Sequence, residues 1–344
     1  MAIEIIATGR AVPSRRVSND ELAKTMDTSD EWIRSHTGIG SRHIADDETA
    51  TSDLALDAAQ KALAALAASD KELAGSVEAA ARSLDLILVA PASGDYFGFP
   101  STACIIQDRL GAAKAAAMDV GAGCTGFIYA LDAAAGMLVI GAQRKRALVI
   151  GAEILSRITD WNDRGTAVLF GDGAGAVILE KTAAPMEGPG KRGLIRSILG
   201  AEGSGAAHLI LERGGTRNPY KQGEVIDVPP HIYMNGRAVY NFAVRVITDT
   251  IAKLMAEEGV TIDDIARIVP HQANARIMQA AAKRLGIPEE KFFLNIEEYA
   301  NTSAASVPIA LDELYRDGGI QRGDLIMTLG FGAGLTYGGN LIVW

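Results

Sequence analysis

Residues 118 to 130 read MDVGAGCTGFIYA, and the rest of the chain is organised around them. An apolar run from Ala115 to Val120 meets a glycine-rich bend, Cys124 follows, and an apolar helical pattern begins, extending to about Ile140. The order is strand, tight turn, thiol, helix. A thiol at the first turn of a helix feels the N-terminal dipole and free backbone N–H groups, both of which favour thiolate. The same N–H groups can form an oxyanion hole. This pattern predicts that Cys124 is an acyl-accepting nucleophile. A blander reading is a small cysteine packed as a hydrophobe. A sharper rival is that Gly121, Gly123 and Gly126 spell G-x-G-x-x-G between a strand and a helix, with Glu153 beyond the next strand as a ribose-binding acid. Against it, Glu153 lies 27 positions after Gly126 (153 − 126), longer than the roughly 20 of that fingerprint. A thiol would also occupy the space a pyrophosphate needs.

The chain has 344 residues, enough for two ordinary domains or one doubled one. Apolar residues make up 48% and charged residues 22%, the balance of a packed globular protein. A net charge of −9 argues against general nucleic-acid binding. No run is expected to reach the roughly 18 apolar residues of a membrane span. The N-terminal MAIEIIATGRAVP reads as a strand and loop without a basic segment and cleavable apolar core, so a cytoplasmic location is expected. Cys104 and Cys124 make neither a disulfide framework nor a zinc site, and Cys104 is expected in the core.

Strands are expected at 3–7, 84–90, 147–151, within 166–179, at 265–270, 292–296 and 324–329, with a last segment at 340–344. Helices are expected at 52–68, 101–110, 273–285 and 306–315. Lys181 to Arg192, rich in Pro, Gly and Lys, is the candidate linker, dividing the chain into halves 1–181 and 182–344. The halves resemble each other. Leu86, Cys124 and Leu148 are 38 and 24 positions apart, and Ile268, Asn301 and Ile326 are 33 and 25 apart. Alternating strands and helices predict parallel sheets with helices on their faces, and sites beyond the strands' carboxyl ends. Cys124, His271, Asn301 and the glycine turn at 330–334 all fall at such ends.

His271, in VPHQAN, is read as opening a helix whose N-terminus keeps the imidazole neutral, so that it donates to a carbonyl gaining negative charge. Asn301, in YANTSAAS, either caps the following helix or supplies a second donor that cannot ionise. Two neutral donors on one thioester oxygen stabilise an enolate. The glycines at 330, 332 and 334 form a tight turn whose amides can face Cys124.

The motifs DTSDEWI (27–33), FPSTAC (99–104), GAGCTGF (121–127), DRGTAVLFGDGAGA (163–176), PHQANARI (270–277), NTSAASVPIAL (301–311) and FGAGLTYG (331–338) closely resemble the β-ketoacyl-acyl-carrier-protein synthase III family, in family order and over the whole chain. The resemblance implies a thiolase-like fold of two duplicated α/β halves in five layers, α-β-α-β-α, usually as a homodimer. It implies a triad of Cys124, His271 and Asn301, with the N–H groups of Cys124 and Ala333 as oxyanion hole. Cys124 takes a short acyl group, acetyl first among the candidates, from acyl-CoA. Malonyl-acyl carrier protein then decarboxylates, and its enolate attacks the acyl-cysteine to give 3-oxoacyl-carrier protein, initiating fatty acid synthesis. Decarboxylation supplies the carbanion, so no metal or redox cofactor is expected.

Residue types separate the relatives. Thiolases need a second catalytic cysteine after Cys124, which is absent; elongating synthases use two histidines, where this chain has Asn301. Hydroxymethylglutaryl-CoA synthases use a glutamate, a role for which Glu153 lacks motif support. Type III polyketide synthases share the triad but fit the surrounding motifs poorly, and the signature of papain-like proteases is missing. The alternative is a related condensing enzyme of specialised metabolism; a non-enzymatic carrier-binding or nucleotide-binding module is disfavoured by the intact triad. By resemblance, coenzyme A stacks its adenine between Trp32 and Arg164 and threads past Met234, Asn235, Gly236 and Asn274. His36 replaces an arginine common in the family, with Arg34 nearby. By the same resemblance, the acidic carrier protein is expected to dock on Arg276, Lys283 and Arg284, seven and eight positions along one helix face, with Asn241 where relatives can carry a lysine. Phe99 matches the position at which relatives close the acyl pocket across the dimer interface, and a bulky ring there is expected to favour short primers.

Overall fold

The computed structural model describes residues 1–188, 190–226 and 230–344. Two mixed sheets carry the chain. The first is built from β1 (Ala2–Ala11), β2 (Leu86–Ala90), β3 (Ala116–Asp119), β4 (Arg146–Glu153) and β5 (Gly173–Thr182), ordered β1–β5–β4–β2–β3. The second takes β6 (Gly193–Ala201), β7 (Ile265–Pro270), β8 (Leu325–Gly332) and β9 (Thr336–Val343), ordered β7–β8–β9–β6. The stretch between β5 and β6 is the expected linker, of which Pro189 lies outside the described residues.

The sheets are not purely parallel, contrary to expectation. β2 runs parallel to β3 and β4, and β7 to β8. The pairs β1–β5, β4–β5, β8–β9 and β9–β6 are antiparallel. β8 and β9 are joined by a three-residue turn, too short for the crossover that parallel strands need. The supposed glycine turn at 330–334 is therefore mostly strand, since Gly330 and Gly332 belong to β8. The strand expected at 292–296 is reduced to one bridge between Ile268 and Phe292, because Ile296–Tyr299 turns helical.

The main helices are α1 (Asp30–Thr37), α2 (Thr51–Ser69), α3 (Thr102–Arg109), α4 (Gly126–Ile140), α5 (Gly236–Glu258), α6 (Ala275–Leu285) and α7 (Ser306–Arg316). The small residues of α2, among them Ala55, Ala58, Ala59 and Ala62, pack it closely on Ile87, Val89, Leu148 and Ile150 of the first sheet. α4 and α7 fill the space between the sheets. Phe127, Leu131, Val307 and Leu311 there meet Leu88 and Val149 of one sheet and Val269 and Ile326 of the other. α5 and α6 cover the outer face of the second sheet through Val246, Ile251, Ile277 and Met278. The layers run α-β-α-β-α, as the resemblance implies.

Two expectations need correction. Gly123–Ile140, with mean hydropathy 1.6, is long and apolar enough to cross a membrane. Its apolarity has another cause here: α4 is the central layer and faces protein on both sheets. Cys104 is exposed rather than in the core, since α3 lies beside β3, the uncovered edge of the first sheet.

The middle layer is pinned to the first sheet by one buried carboxylate. Asp312 of α7 accepts from Thr8 Oγ1 at 2.7 Å, Arg10 Nη1 at 2.6 Å and Arg316 Nε at 2.8 Å. Removing it strands Thr8 and two guanidinium groups, which are themselves partly exposed. Asp312→Ala is expected to lower the urea-unfolding free energy by about 2–3 kcal/mol, somewhat less than for a fully buried pair.

Candidate active site

Cys124 sits in a short 3₁₀ turn, Gly123–Thr125, immediately before α4 rather than inside its first turn. β8 comes against this turn with no side chain between. A Cβ on Gly332 would lie 2.7 Å from Cys124 Cβ and 3.1 Å from its Sγ; one on Gly330 would lie 2.8 Å from Ile128 Cγ1. These two glycines serve close approach, not a turn. Across the hairpin, Thr336 Oγ1 donates to the Ala122 carbonyl at 3.1 Å and stands 3.0 Å from Thr125 Oγ1, tying nucleophile turn to hairpin.

His271 directly follows β7. It precedes α6, whose N-cap is Asn274, so it is not in a helical first turn as expected. Its ring meets Phe331 edge-on at 5.1 Å, and its Nδ1 lies 2.7 Å from Ser306 Oγ. Asn301 is set by its backbone. Its N–H donates to the Leu169 carbonyl at 2.9 Å, and its carbonyl accepts from Gly171 N–H at 3.0 Å. Its side chain meets the start of the following helix, a short 3₁₀ turn (Ser303–Ala305) that leads into α7, as the capping alternative expects. Oδ1 accepts from Ser303 N–H at 2.9 Å, which fixes the amide orientation and leaves Nδ2 to donate elsewhere. Cys124, His271 and Asn301 line one cavity of about 130 Å3 together with Phe331, Gly332 and Asn274.

The electrostatics revise one expectation and support another. Burial pushes the Cys124 thiol up to about 11, and the charge of Glu153 pushes in the same direction. The Ser303 hydroxyl and the N–H groups of Cys124 and Ala333 oppose this without overcoming it. The resting thiol is protonated, so the helix terminus does not deliver a standing thiolate. His271 is held neutral, its value lowered to about 3, but burial does this rather than a helix N-terminus.

Glu153 is the residue that sequence reasoning left without a role. It ends β4, has no solvent exposure, and burial raises its carboxyl to about 7. Ala92 N–H, Ser93 N–H and Ser93 Oγ, the last at 2.6 Å, all donate to it. The signal was an acid closing an otherwise apolar run, ALVIGAE, which marks a buried carboxylate at a strand's carboxyl end. Ser303, also buried, holds a left-handed φ of 49° that a non-glycine residue adopts only under constraint.

The outer candidates fall into two groups. Gly236, Met234 and Asn274 line the Cys124 cavity, whereas Asn235 N-caps α5 through Oδ1 and is not among the lining residues. Arg164 lies directly over the Trp32 ring, 4.7 Å from its centroid, and His36 stacks on the same ring at 4.4 Å. The pair does not stand open as a slot; a flat ring between them needs about 7 Å, twice a stacking distance of roughly 3.5 Å. Arg34 is committed to Asp30 at 2.8 Å and Glu297 at 2.6 Å, so it does not replace the arginine lost at His36. Arg276, Lys283 and Arg284 are exposed along α6, and none is in an ion pair among the described residues. Phe99 is 88% exposed and does not reach the Cys124 cavity within this chain. Its loop, with Tyr96 and Phe97, instead borders a separate cavity of about 560 Å3 beside Ile154 and Leu211.

Comparison with known proteins gives the family of the chain. Residues 118–203 match the family model of 3-oxoacyl-(acyl-carrier-protein) synthase III, and residues 255–344 match its C-terminal model. The chain is 44% identical to the β-ketoacyl-(acyl-carrier-protein) synthase III of Clostridium acetobutylicum, covering 100% of this chain and 99% of that one. The crystal structure of 3-oxoacyl-(acyl-carrier-protein) synthase III from Aquifex aeolicus superposes with a TM-score of 0.86 at 40% identity, covering 100% of both chains. The priming β-ketosynthase of the R1128 polyketide pathway superposes at 0.85 with 30% identity, covering 99% of this chain and 96% of that one.

Two outcomes are expected. Gly332→Ala places a methyl group against the nucleophile, so acylation of Cys124, followed by intact-protein mass spectrometry, should fall at least about 10²-fold with misplacement of the reacting atom. For Glu153, the folded chain binds the extra proton between its ordinary 4.5 and about 7, so its contribution to stability is lost as pH rises across that window. Urea titrations should show wild type losing on the order of 3 kcal/mol relative to Glu153→Gln from the low end of the window to the high end, at roughly 1.4 kcal/mol per unit.

Proposed function

The chain belongs to the 3-oxoacyl-(acyl-carrier-protein) synthase III family of acyltransferases, and we propose that Cys124, His271 and Asn301 carry out its two-stage condensation. In the first stage the Cys124 sulfur attacks the carbonyl of a short acyl-CoA, acetyl-CoA the first candidate. The developing oxyanion is held by the N–H groups of Cys124 and Ala333, which face the sulfur. Coenzyme A leaves as thiolate and takes up the proton that Cys124 gives up, an exchange of thiol for thiol with no net proton change. Splitting the condensation into acyl-enzyme formation and carbanion attack is covalent catalysis.

In the second stage malonyl-carrier protein places its thioester oxygen between His271 and Asn301. The bond to the carboxylate breaks, carbon dioxide departs, and the electron pair forms an enolate. Two neutral donors suit this step. A buried cavity strengthens their hydrogen bonds to the new anion, and neither brings a charge that would hold the carboxylate in place. The enolate carbon attacks the acyl-cysteine, and Cys124 leaves as thiolate to be reprotonated. The carbanion comes from decarboxylation, so the reading calls for no metal or redox cofactor. The observation that carries it is the shared cavity of the three side chains, with Asn301 Nδ2 left over by the Ser303 bond.

The partners follow from surface chemistry. The exposed cations Arg276, Lys283 and Arg284 offer an acidic carrier protein its dock. Trp32 and Arg164 take the adenine of coenzyme A once they part. A second copy of this chain covers the open edge strand β3 and the exposed loop of Tyr96, Phe97 and Phe99, bringing Phe99 to the neighbouring acyl pocket. A bulky ring at that point favours short primers.

Exposure to acetyl-CoA should give an acetyl adduct on Cys124, discharged by malonyl-carrier protein and not by malonyl-CoA alone. His271→Ala and Asn301→Ala should keep most of the acylation and lose about 10²-fold or more in decarboxylation, the usual loss for one oxyanion donor. Equal loss of both stages contradicts the assigned roles. In a series from C2 to C12 acyl-CoA, the short members should acylate fastest; acylation by long chains alone rules out the role given to Phe99.

A further inference from the structure

His271 has two ring nitrogens, and a neutral imidazole carries its proton on only one of them. Nδ1 is turned to Ser306, the first residue of α7, at 2.7 Å. The proton is therefore useful to an enolate in the cavity only when it sits on Nε2. What decides this is the Ser306 hydroxyl, which is buried and has three neighbours. Its oxygen is 2.7 Å from Nδ1, accepts from Gln272 N–H at 3.2 Å, and lies 2.8 Å from the Ser303 carbonyl.

A hydroxyl has one proton to give, so two arrangements exist. If it goes to the Ser303 carbonyl, Nδ1 must hold the ring proton and donate it to Ser306 Oγ, and Nε2 faces the cavity as a bare acceptor. If it goes to Nδ1, the ring proton sits on Nε2. The second arrangement gives up the hydroxyl's bond to the Ser303 carbonyl and turns a ring donor into the cavity. The Ser303 carbonyl already accepts the backbone N–H of Ser306, so it keeps a partner when the hydroxyl turns away. Donation from Gln272 N–H into Oγ polarises the hydroxyl toward giving its own proton onward. Among the described residues no other side chain bonds Nδ1, so without the hydroxyl its lone pair would be buried without a donor. Burial removes the third possibility, an imidazolium protonated on both nitrogens, near neutral pH.

We propose that Ser306 is a positioning residue for the decarboxylation stage: its hydroxyl donates to His271 Nδ1 and holds the ring proton on Nε2, aimed into the cavity. This rests on His271 being the enolate donor. Ser306 touches no reacting atom and acts only through the ring. In Ser306→Ala the remaining group beside Nδ1 is the Ser303 carbonyl, which can only accept, so the ring proton moves to Nδ1 and the cavity loses a donor.

Imidazole-¹⁵N-labelled protein tests this directly, because the chain has five histidines and His271 is assigned by its loss in His271→Gln. Wild type should show a protonated Nε2, and Ser306→Ala a protonated Nδ1. With the melting temperature of Ser306→Ala checked, decarboxylation of malonyl-carrier protein should fall roughly 10²-fold, while acetylation of Cys124 by acetyl-CoA changes by no more than about threefold. A protonated Nδ1 in wild type overturns the proposal, whether or not the variant folds. So does an unshifted tautomer in the variant, or a parallel fall in both stages. His271→Ala separates the parent claim: if it decarboxylates normally, the donor role itself fails, and this proposal with it.

Discussion

The site depends on a seam at which the two halves meet backbone to backbone. A Cβ on Gly332 would collide with Cys124, and one on Gly151 would collide with the Ala304 carbonyl oxygen. At the first position the second sheet reaches the nucleophile; at the second, β4 of the first sheet receives the turn that follows Asn301. The bonds of Asn301 to Leu169 and Gly171 extend the same seam. Packing this close leaves little room for relative motion, because interiors deform poorly. Cys124 and His271, more than 140 positions apart in the chain, are thereby held on one small cavity.

Closeness also sets the electrostatics. A cavity of this kind penalises charge, so His271 is held neutral and the Cys124 thiol keeps its proton. Both are suited to chemistry in which charge appears only in passing. On the proposed mechanism, acyl exchange moves one proton from thiol to thiol, and decarboxylation creates an anion beside two neutral side chains. Glu153 fits the same environment. Its raised titration lets it sit beneath the nucleophile largely without charge at mildly acidic pH, and its ionisation makes the thiol still harder to deprotonate.

Local pattern made much of this legible. The helix at Thr51–Ser69, the strand at Ile265–Pro270 and the turn carrying Cys124 follow from apolar periodicity and glycine placement, and their residues appear where expected. Strand direction was not legible, because the parallel rule assumes a crossover and β8 returns through a three-residue hairpin. Nor was the work of Gly330 and Gly332, since a glycine needed for a turn and one needed for contact look alike until the partner backbone is present. Motif likeness singled out Trp32 and Arg164 as candidates but could not show that the two lie on each other.

The sequence by itself determined which groups are available: one thiol at a tight turn, one histidine at a strand end, one asparagine ahead of a helix, and no second cysteine beyond Cys124. Composition and spacing carry that information because nucleophiles and neutral donors are residue types. The tertiary structure alone decided their state. Whether the thiol is ionised, which end of the Asn301 amide is left over, and which neighbour the Ser306 hydroxyl faces depend on burial and on partners distant in the chain. Those are properties of the assembled interior, where the energy of a proton is set by what surrounds it.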